Sequence, residues 1–156
     1  MGLEIERKFL LKNDSWRQQI TKSTLMRQGY LAPLETSSVR VRIEGDKANL
    51  NIKSATIGIR RMEYEYAIPL EDATEMLDQL CPRPQVNKTR HIVVVGSHVW
   101  EIDEFYDENQ GLIVAELELG DENETFVVPD WVGDEVSDDP RYYNVNLIKH
   151  PFKMWG

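Results

Sequence analysis

The sequence predicts a mainly β fold of the α+β type, an antiparallel sheet closed into a barrel with helices packed outside. Three observations carry that expectation. Apolar and charged residues alternate at period two in about eight stretches. Turn signals such as Gly45-Asp46 and Gly96-Ser97 join neighbouring stretches in hairpin order. Helical spacing is confined to short segments, chiefly Leu70 to Leu80 and the region before Lys149.

The elements follow in order. Glu4-Ile5-Glu6-Arg7-Lys8-Phe9-Leu10 separates cleanly, with Glu4, Glu6 and Lys8 on one face and Ile5, Arg7 and Phe9 on the other. Lys12 to Ser15 reads as a turn, with Asp14 or Ser15 capping a short helix through about Ile20. Gln28 to Leu31 reads as a short strand ended by Pro33. Ser38 to Glu44 alternates Val39, Val41 and Ile43 with Arg40 and Arg42, and Ala48 to Ser54 returns with Leu50 and Ile52 opposite Asn51 and Lys53. Arg61 to Ile68 sets Arg61, Glu63 and Glu65 against Met62, Tyr64 and Tyr66. The helix Leu70 to Leu80 carries Ala73, Met76, Leu77 and Leu80 along one side and stops at Pro82 and Pro84. Val86 to Val95 carries Lys88 and Arg90, His98 to Tyr106 sets Glu101 and Asp103 against Trp100 and Ile102, and Leu112 to Leu119 carries Glu116 and Glu118. In the tail, Asp139-Pro140 opens a helix expected from about Arg141 to Lys149.

Composition bounds the function. With 156 residues and 41% apolar content, the sequence fits one globular domain over residues 1–156. Twenty-seven acidic against 18 basic residues, a net charge of −9, argue against unspecific nucleic-acid or membrane binding. An anionic ligand would need a local basic cluster or a metal. The single Cys81 excludes an internal disulfide framework, and without a signal peptide or membrane span the expected compartment is the cytoplasm. A homodimer is left open. Asn123-Glu124-Thr125 spells a glycosylation acceptor, which in that compartment is chance.

Two readings of the charged faces compete. In one they coat the surface, as on any half-buried strand. In the other they line the inside of the barrel. Two features favour the second: the helices need an apolar outer surface to pack on, and the charges are sorted by sign. Acidic pairs occur on the strands of Glu4, Glu63, Glu101 and Glu116, and basic pairs on those of Arg40 and Lys88, where a solvated sheet would mix signs across strands. A lumen with Arg40, Arg42, Lys53, Lys88 and Arg90 is a strong anion site. Glu4, Glu6, Glu116 and Glu118 are hard oxygen ligands suited to Mg²⁺ or Mn²⁺, and a cation would let carboxylates and a polyanion share one cavity.

Other candidates read as structural. His91, His98 and His150 have no ligand spacing, and Cys81 has no histidine near it in sequence. Trp16, Trp100, Trp131 and Trp155 suit packing, and Tyr30 either meets Lys8 in the lumen or closes a sheet edge. No Gly-x-x-x-x-Gly-Lys loop is present.

The ordered set Glu4-x-Glu6-x-Lys8, Val39-Arg40-Val41-Arg42, Lys53, Glu63-Tyr64-Glu65, Lys88-Thr89-Arg90, Trp100-Glu101-Ile102-Asp103, Glu116-Leu117-Glu118 and Arg141-Tyr142-Tyr143-Asn144 resembles the CYTH superfamily, the triphosphate tunnel metalloenzymes. The resemblance spans essentially the whole sequence. It implies an eight-stranded antiparallel barrel forming a tunnel with a charged lumen, and a Mg²⁺- or Mn²⁺-dependent activity on triphosphates. On that reading Lys8, Arg40, Arg42, Lys53, Lys88 and Arg90 hold the triphosphate, and Glu4, Glu6, Asp103, Glu116 and Glu118 hold the metal. Lys8, Lys88, Glu63 and Glu65 serve catalysis. The expected reaction is hydrolysis of inorganic triphosphate. The alternatives are a nucleoside or thiamine triphosphatase, a class IV adenylyl cyclase, or a non-catalytic polyphosphate or nucleotide sensor.

Overall fold

The computed structural model describes residues 3–33, 36–55 and 59–155. Its elements are β1 (Leu3–Leu11), β2 (Lys22–Pro33), β3 (Ser37–Glu44), β4 (Lys47–Ser54), β5 (Arg60–Ile68), α1 (Leu70–Gln79), β6 (Val86–Val95), β7 (His98–Phe105), β8 (Ile113–Glu118), β9 (Val132–Glu135) and α2 (Asn144–Lys149). The strands form one sheet in the order β5-β4-β3-β2-β6-β7-β8-β1-β9, and β5 also pairs with β1. That last pairing, Leu3 to Met62, Glu4 to Arg61 and Ile5 to Arg60, closes eight antiparallel strands into a barrel. β1 then diverges, and its far half carries β9 as an extra outer strand.

The period-two pattern sets which residues face inward. Three apolar clusters surround or cap the charged interior. One packs Ile5, Phe9, Trp100, Ile102 and Leu117 of the barrel's outer face beneath Trp16, Phe126 and Trp131. A second places Ala73 and Leu77 of α1 on Val41 and Ala48. Fully burying one leucine such as Leu77 contributes about 1.5–3 kcal/mol. Cys81 packs in the same cluster. Gly29 permits this close approach, since a Cβ there would lie 3.0 Å from both Cys81 Cβ and Leu77 Cδ2. The third cluster fills one end of the barrel with Tyr30, Val86, Phe105 and Val114 against Tyr142, Leu147 and Ile148.

Several elements differ from the sequence expectation. β2 spans twelve residues rather than Gln28 to Leu31, because it buries Met26 and exposes Leu25, a pattern that hides its alternation. The first helical turn is a 3-10 turn at Ser15–Gln19. Asp14 stands at its N-cap, as expected, but without a side-chain cap bond; Asn13 Oδ1 instead accepts from Ser15 N at 2.9 Å. The C-terminal helix is shorter than expected: a 3-10 turn at Pro140–Tyr142 is separated from α2 by extended Tyr143. Met62, Tyr64 and Tyr66 on the outer face of β5 are exposed, so the apolar exterior is not helix-covered all round. Tyr30 lies in the apolar end cluster, and the ring facing Lys8 is that of Tyr143, 5.9 Å from Nζ. No helix among the described residues is long and apolar enough to cross a membrane.

Candidate active site

The interior holds a cavity of about 180 Å³ lined entirely by polar and charged residues. Glu4 and Glu6 of β1, Arg40 and Arg42 of β3, Lys53 of β4, Glu63 and Glu65 of β5, Arg90 of β6, and Glu116 and Glu118 of β8 all border it. A second cavity of about 230 Å³ shares Arg40, Lys53 and Arg61 with it and lies beside Tyr143. Lys8, Lys88 and Asp103 do not border the first cavity; they lie behind its lining. Arg61, Glu101 and Asn144, to which the sequence reading assigned no role, do border it.

Register builds the acidic wall. β1 and β8 pair Lys8 with Glu116 and Glu6 with Glu118. Lys8 Nζ donates to Glu116 at 3.2 Å and lies 3.8 Å from Glu6. Across the β5–β1 closure, Arg61 Nε donates to Glu4 at 2.8 Å, and its Nη2 lies 3.6 Å from Glu6. Burial opposes ionisation of Glu4 and Glu116. Lys53 and Arg61 outweigh it at Glu4, and Lys8 and Arg90 at Glu116, so both carboxyls lie below the usual range. Glu6 is different: burial and the Glu116 charge push it up to about 7. Burial and Glu4 also raise Glu118.

The β6–β7 wall is a closed ion network. Arg90 grips Asp103 with two bonds, 2.8 and 2.9 Å, and Lys88 Nζ donates to the same carboxylate at 2.8 Å. Lys88 and Asp103 are both fully buried. Burial opposes the Asp103 charge, yet Arg90 and Lys88 prevail and hold it down to about 2. Burial brings Lys88 down to about 8 despite Asp103.

The β3–β4 wall is unfinished by comparison. Among the described residues, Arg42 has only a 3.9 Å approach to Glu44, and the buried Nε atoms of Arg40 and Arg42 have no hydrogen-bond partner. Asn49 and Asn51 present unpartnered buried oxygens beside them. Burial and the repulsion of Arg40 and Arg90 bring Arg42 down to about 10, and burial with Arg40 and Arg61 drives Lys53 well below its ordinary value.

The interior thus has an under-neutralised cationic side and an under-neutralised anionic side. That suits a polyanion together with a cation, since each would relieve one set of repulsions. The donor set fits a hard divalent metal in type: Glu4, Glu6, Glu116 and Glu118 offer only carboxylate oxygens. Among the described residues, however, no three acidic, histidine or cysteine groups are gathered as ligands, because Glu4 and Glu116 are tied to Arg61 and Lys8. Asp103 is committed to Arg90 and Lys88.

A closed antiparallel barrel with such a lumen defines a class of protein, a tunnel built to hold a highly charged anion. The chain belongs to the CYTH domain family, whose model matches residues 2–144. It is 48% identical over 153 residues to the inorganic triphosphatase of Acetivibrio thermocellus, covering 98% of this chain and 97% of that one. It is 33% identical over 148 residues to the inorganic triphosphatase of Nitrosomonas europaea, covering 92% and 95%. A crystal structure of an inorganic triphosphatase aligns with a TM-score of 0.67 at 30% identity, covering 95% of both chains.

Proposed function

We propose that this protein hydrolyses inorganic triphosphate to pyrophosphate and phosphate with the help of Mg²⁺ or Mn²⁺. The observation that carries the reading is the pair Arg40 and Arg42, buried in the tunnel with Nε donors unpartnered among the described residues, opposite a wall of carboxylates. Guanidinium groups buried with unmet donors are costly unless a ligand completes them. The two relatives named inorganic triphosphatases support the choice of ligand.

In this reading Arg40, Arg42, Lys53 and Arg90 hold the phosphate oxygens, and Lys8 and Lys88 add charge from behind the lining. Arg61 joins the set as the group that fixes Glu4 and Glu6. Glu4, Glu6, Glu116 and Glu118 would hold the metal, which when bound neutralises phosphate charge and acidifies coordinated water. Asp103 is better read as the counter-ion of Lys88 and Arg90 than as a ligand. Water adds to a terminal phosphorus, the anhydride P–O bond breaks, and pyrophosphate leaves. Glu63 and Glu65 are the carboxylates that take up the proton of the water. Most of the catalytic effect is positioning and charge stabilisation, as in other phosphoryl transfers. The single buried Cys81 agrees with a reducing cytoplasm.

The test is phosphate release from triphosphate, ATP, GTP and thiamine triphosphate, with and without Mg²⁺ or Mn²⁺. The expected outcome is metal-dependent turnover, greatest with inorganic triphosphate. Greater turnover of ATP, or cyclic AMP as product, would assign the tunnel to nucleotides. Tight triphosphate binding without turnover would make it a sensor.

A further inference from the structure

Asn144 enters the tunnel from outside the barrel. It is the first residue of α2, and it borders both interior cavities. The residues around it fix its position. Leu147 and Ile148 anchor α2 in the apolar end cluster. Tyr143, just before it, donates its hydroxyl to Ser137 O at 3.2 Å. Asn146 Nδ2 donates to Pro140 O at 2.9 Å.

The amide of Asn144 is also oriented. Gln28 Nε2 donates to its Oδ1 at 3.0 Å, and Lys88 Nζ approaches the same oxygen at 3.4 Å. Gln28 and Lys88 are both fully buried, and an ammonium can only donate. Although Gln28 Oε1, unpartnered among the described residues, could turn to meet it, turning the amide over would set its NH₂ against Lys88, an ammonium that cannot accept. The oxygen is therefore committed to the wall. The Nδ2 group, which makes no hydrogen bond among the described residues, is left to face the cavity that Arg40, Arg42 and Arg90 border. Nδ2 is a neutral donor at an anion site, held by the C-terminal segment rather than by the barrel.

We propose that Asn144 is a substrate-binding residue that donates through Nδ2 to a phosphate oxygen of the bound triphosphate, with Gln28 and Lys88 fixing its orientation. This rests on the triphosphate reading above. A neutral donor adds a directed hydrogen bond without adding repulsion among the neighbouring cations. It also makes docking of α2 part of the binding site, so the barrel alone would hold triphosphate less well.

The experiment compares Asn144→Ala with Asn144→Asp in calorimetric binding of inorganic triphosphate, alongside steady-state kinetics and melting temperatures. Asp is nearly isosteric and still accepts from Gln28 and Lys88, but it turns a donor into an anionic oxygen facing the substrate. Asn144→Ala is expected to weaken triphosphate binding about tenfold, and Asn144→Asp by a further tenfold or more. If Asn144 served only to hold Lys88 in place, the order would reverse, with Asp near wild type and Ala worse. That order overturns the proposal, as does equal affinity in all three proteins. Gln28→Met supplies a second measure. It removes one of the two donors that orient the amide, and is expected to cost a few-fold in affinity in the wild-type background and nothing further in Asn144→Ala. Additive losses there would overturn the orienting role. Wild-type protein that binds triphosphate without turning it over sinks the hydrolase reading and leaves the Asn144 comparison decisive. Wild-type protein with no affinity for triphosphate sinks both.

Discussion

Two walls of the same tunnel carry similar charges in opposite conditions. On β6 and β7, Lys88, Arg90 and Asp103 form a complete network: every charge has a partner at 2.8–2.9 Å and the carboxylate is held down to about 2. On β3, Arg40 and Arg42 are buried with Nε atoms unpartnered among the described residues, and Arg42 is repelled by Arg40. The first wall resembles a finished part of the fold. On the proposed function, the second is a surface whose partner arrives from solution. Buried charge alone therefore does not mark a binding group; a buried charge with unmet donors is the stronger sign of one, although an answered group such as Arg90 still borders the cavity.

The largest expected effect breaks the finished wall. Asp103→Ala leaves Arg90 and Lys88 buried without their main counter-charge, at a cost of about 3–5 kcal/mol. Thermal unfolding should show a drop of roughly 10 °C for a chain of this size. A melting temperature near wild type would mean that the network contributes little to folding. The unfinished wall should behave in the opposite way. Arg42→Ala removes a charge that Arg40 and Arg90 repel, so stability should hold or rise. Its kcat/KM for triphosphate should fall roughly ten- to a hundred-fold, the loss of one or two charge-assisted hydrogen bonds. Arg42→Lys should recover only part of it, because an ammonium cannot reproduce the planar fork. Normal kcat/KM in Arg42→Ala would remove the basic wall from the site.

The difference between the walls was only half legible in the sequence. Period two put Glu4, Glu6, Arg40, Arg42, Lys88, Arg90 and Glu116 on the right faces, and sign sorting between strands pointed to an interior rather than a solvated sheet. Which charge answers which depends on register and closure. Arg61 shared a face with Glu63 and Glu65 in the sequence, but its bond to Glu4 exists only because β5 closes onto β1. Neutral residues were passed over for another reason: Gln28, Asn49 and Asn51 carry no charge to sort. Asn144 lies beyond the last barrel strand, on a segment whose route into the tunnel is set by packing of Leu147 and Ile148 at the barrel end.

A third, smaller effect concerns the acidic wall, which combines both conditions. Glu4 and Glu116 are answered by cations, whereas Glu6 is raised from 4.5 to about 7 by burial and Glu116. Between those two values the folded protein keeps a proton that the unfolded chain has lost, so folding stability falls as pH rises through the window. Wild-type melting temperature should therefore carry a decline from about pH 4.5 to pH 7 that Glu6→Gln reduces, Glu118 and Glu101 being raised as well. At pH 8 Mg²⁺ should raise the melting temperature of the wild type by linkage and that of Glu6→Gln less. The same pH decline in both proteins would show that Glu6 is not its source.

The smallest effect comes from the residue between Glu6 and Lys8. Arg7 points out of the barrel, where its Nε donates to Glu135 of β9 at 2.9 Å, a distance like those of the Asp103 network. Its guanidinium also lies 5.0 Å from the Phe126 ring. Geometry alone would rank this pair with the interior ones. Solvent decides otherwise, because the Arg7 and Glu135 side chains are 28% and 35% exposed. Water screens the attraction and solvates either partner when the other is removed, so a pair of this kind is worth about 0–1 kcal/mol. Arg7→Ala should lower the melting temperature by no more than roughly 4 °C. It should also leave kcat/KM for triphosphate within about twofold, since the side chain lies on the far face of the strand from the tunnel. A large loss of activity in Arg7→Ala would mean that the inner and outer faces of β1 are coupled through β9, whose Ser137 neighbour accepts from Lys8 N at 2.9 Å. An unchanged activity beside the Arg42→Ala loss would tie the function to the face of the strand rather than to the presence of charge.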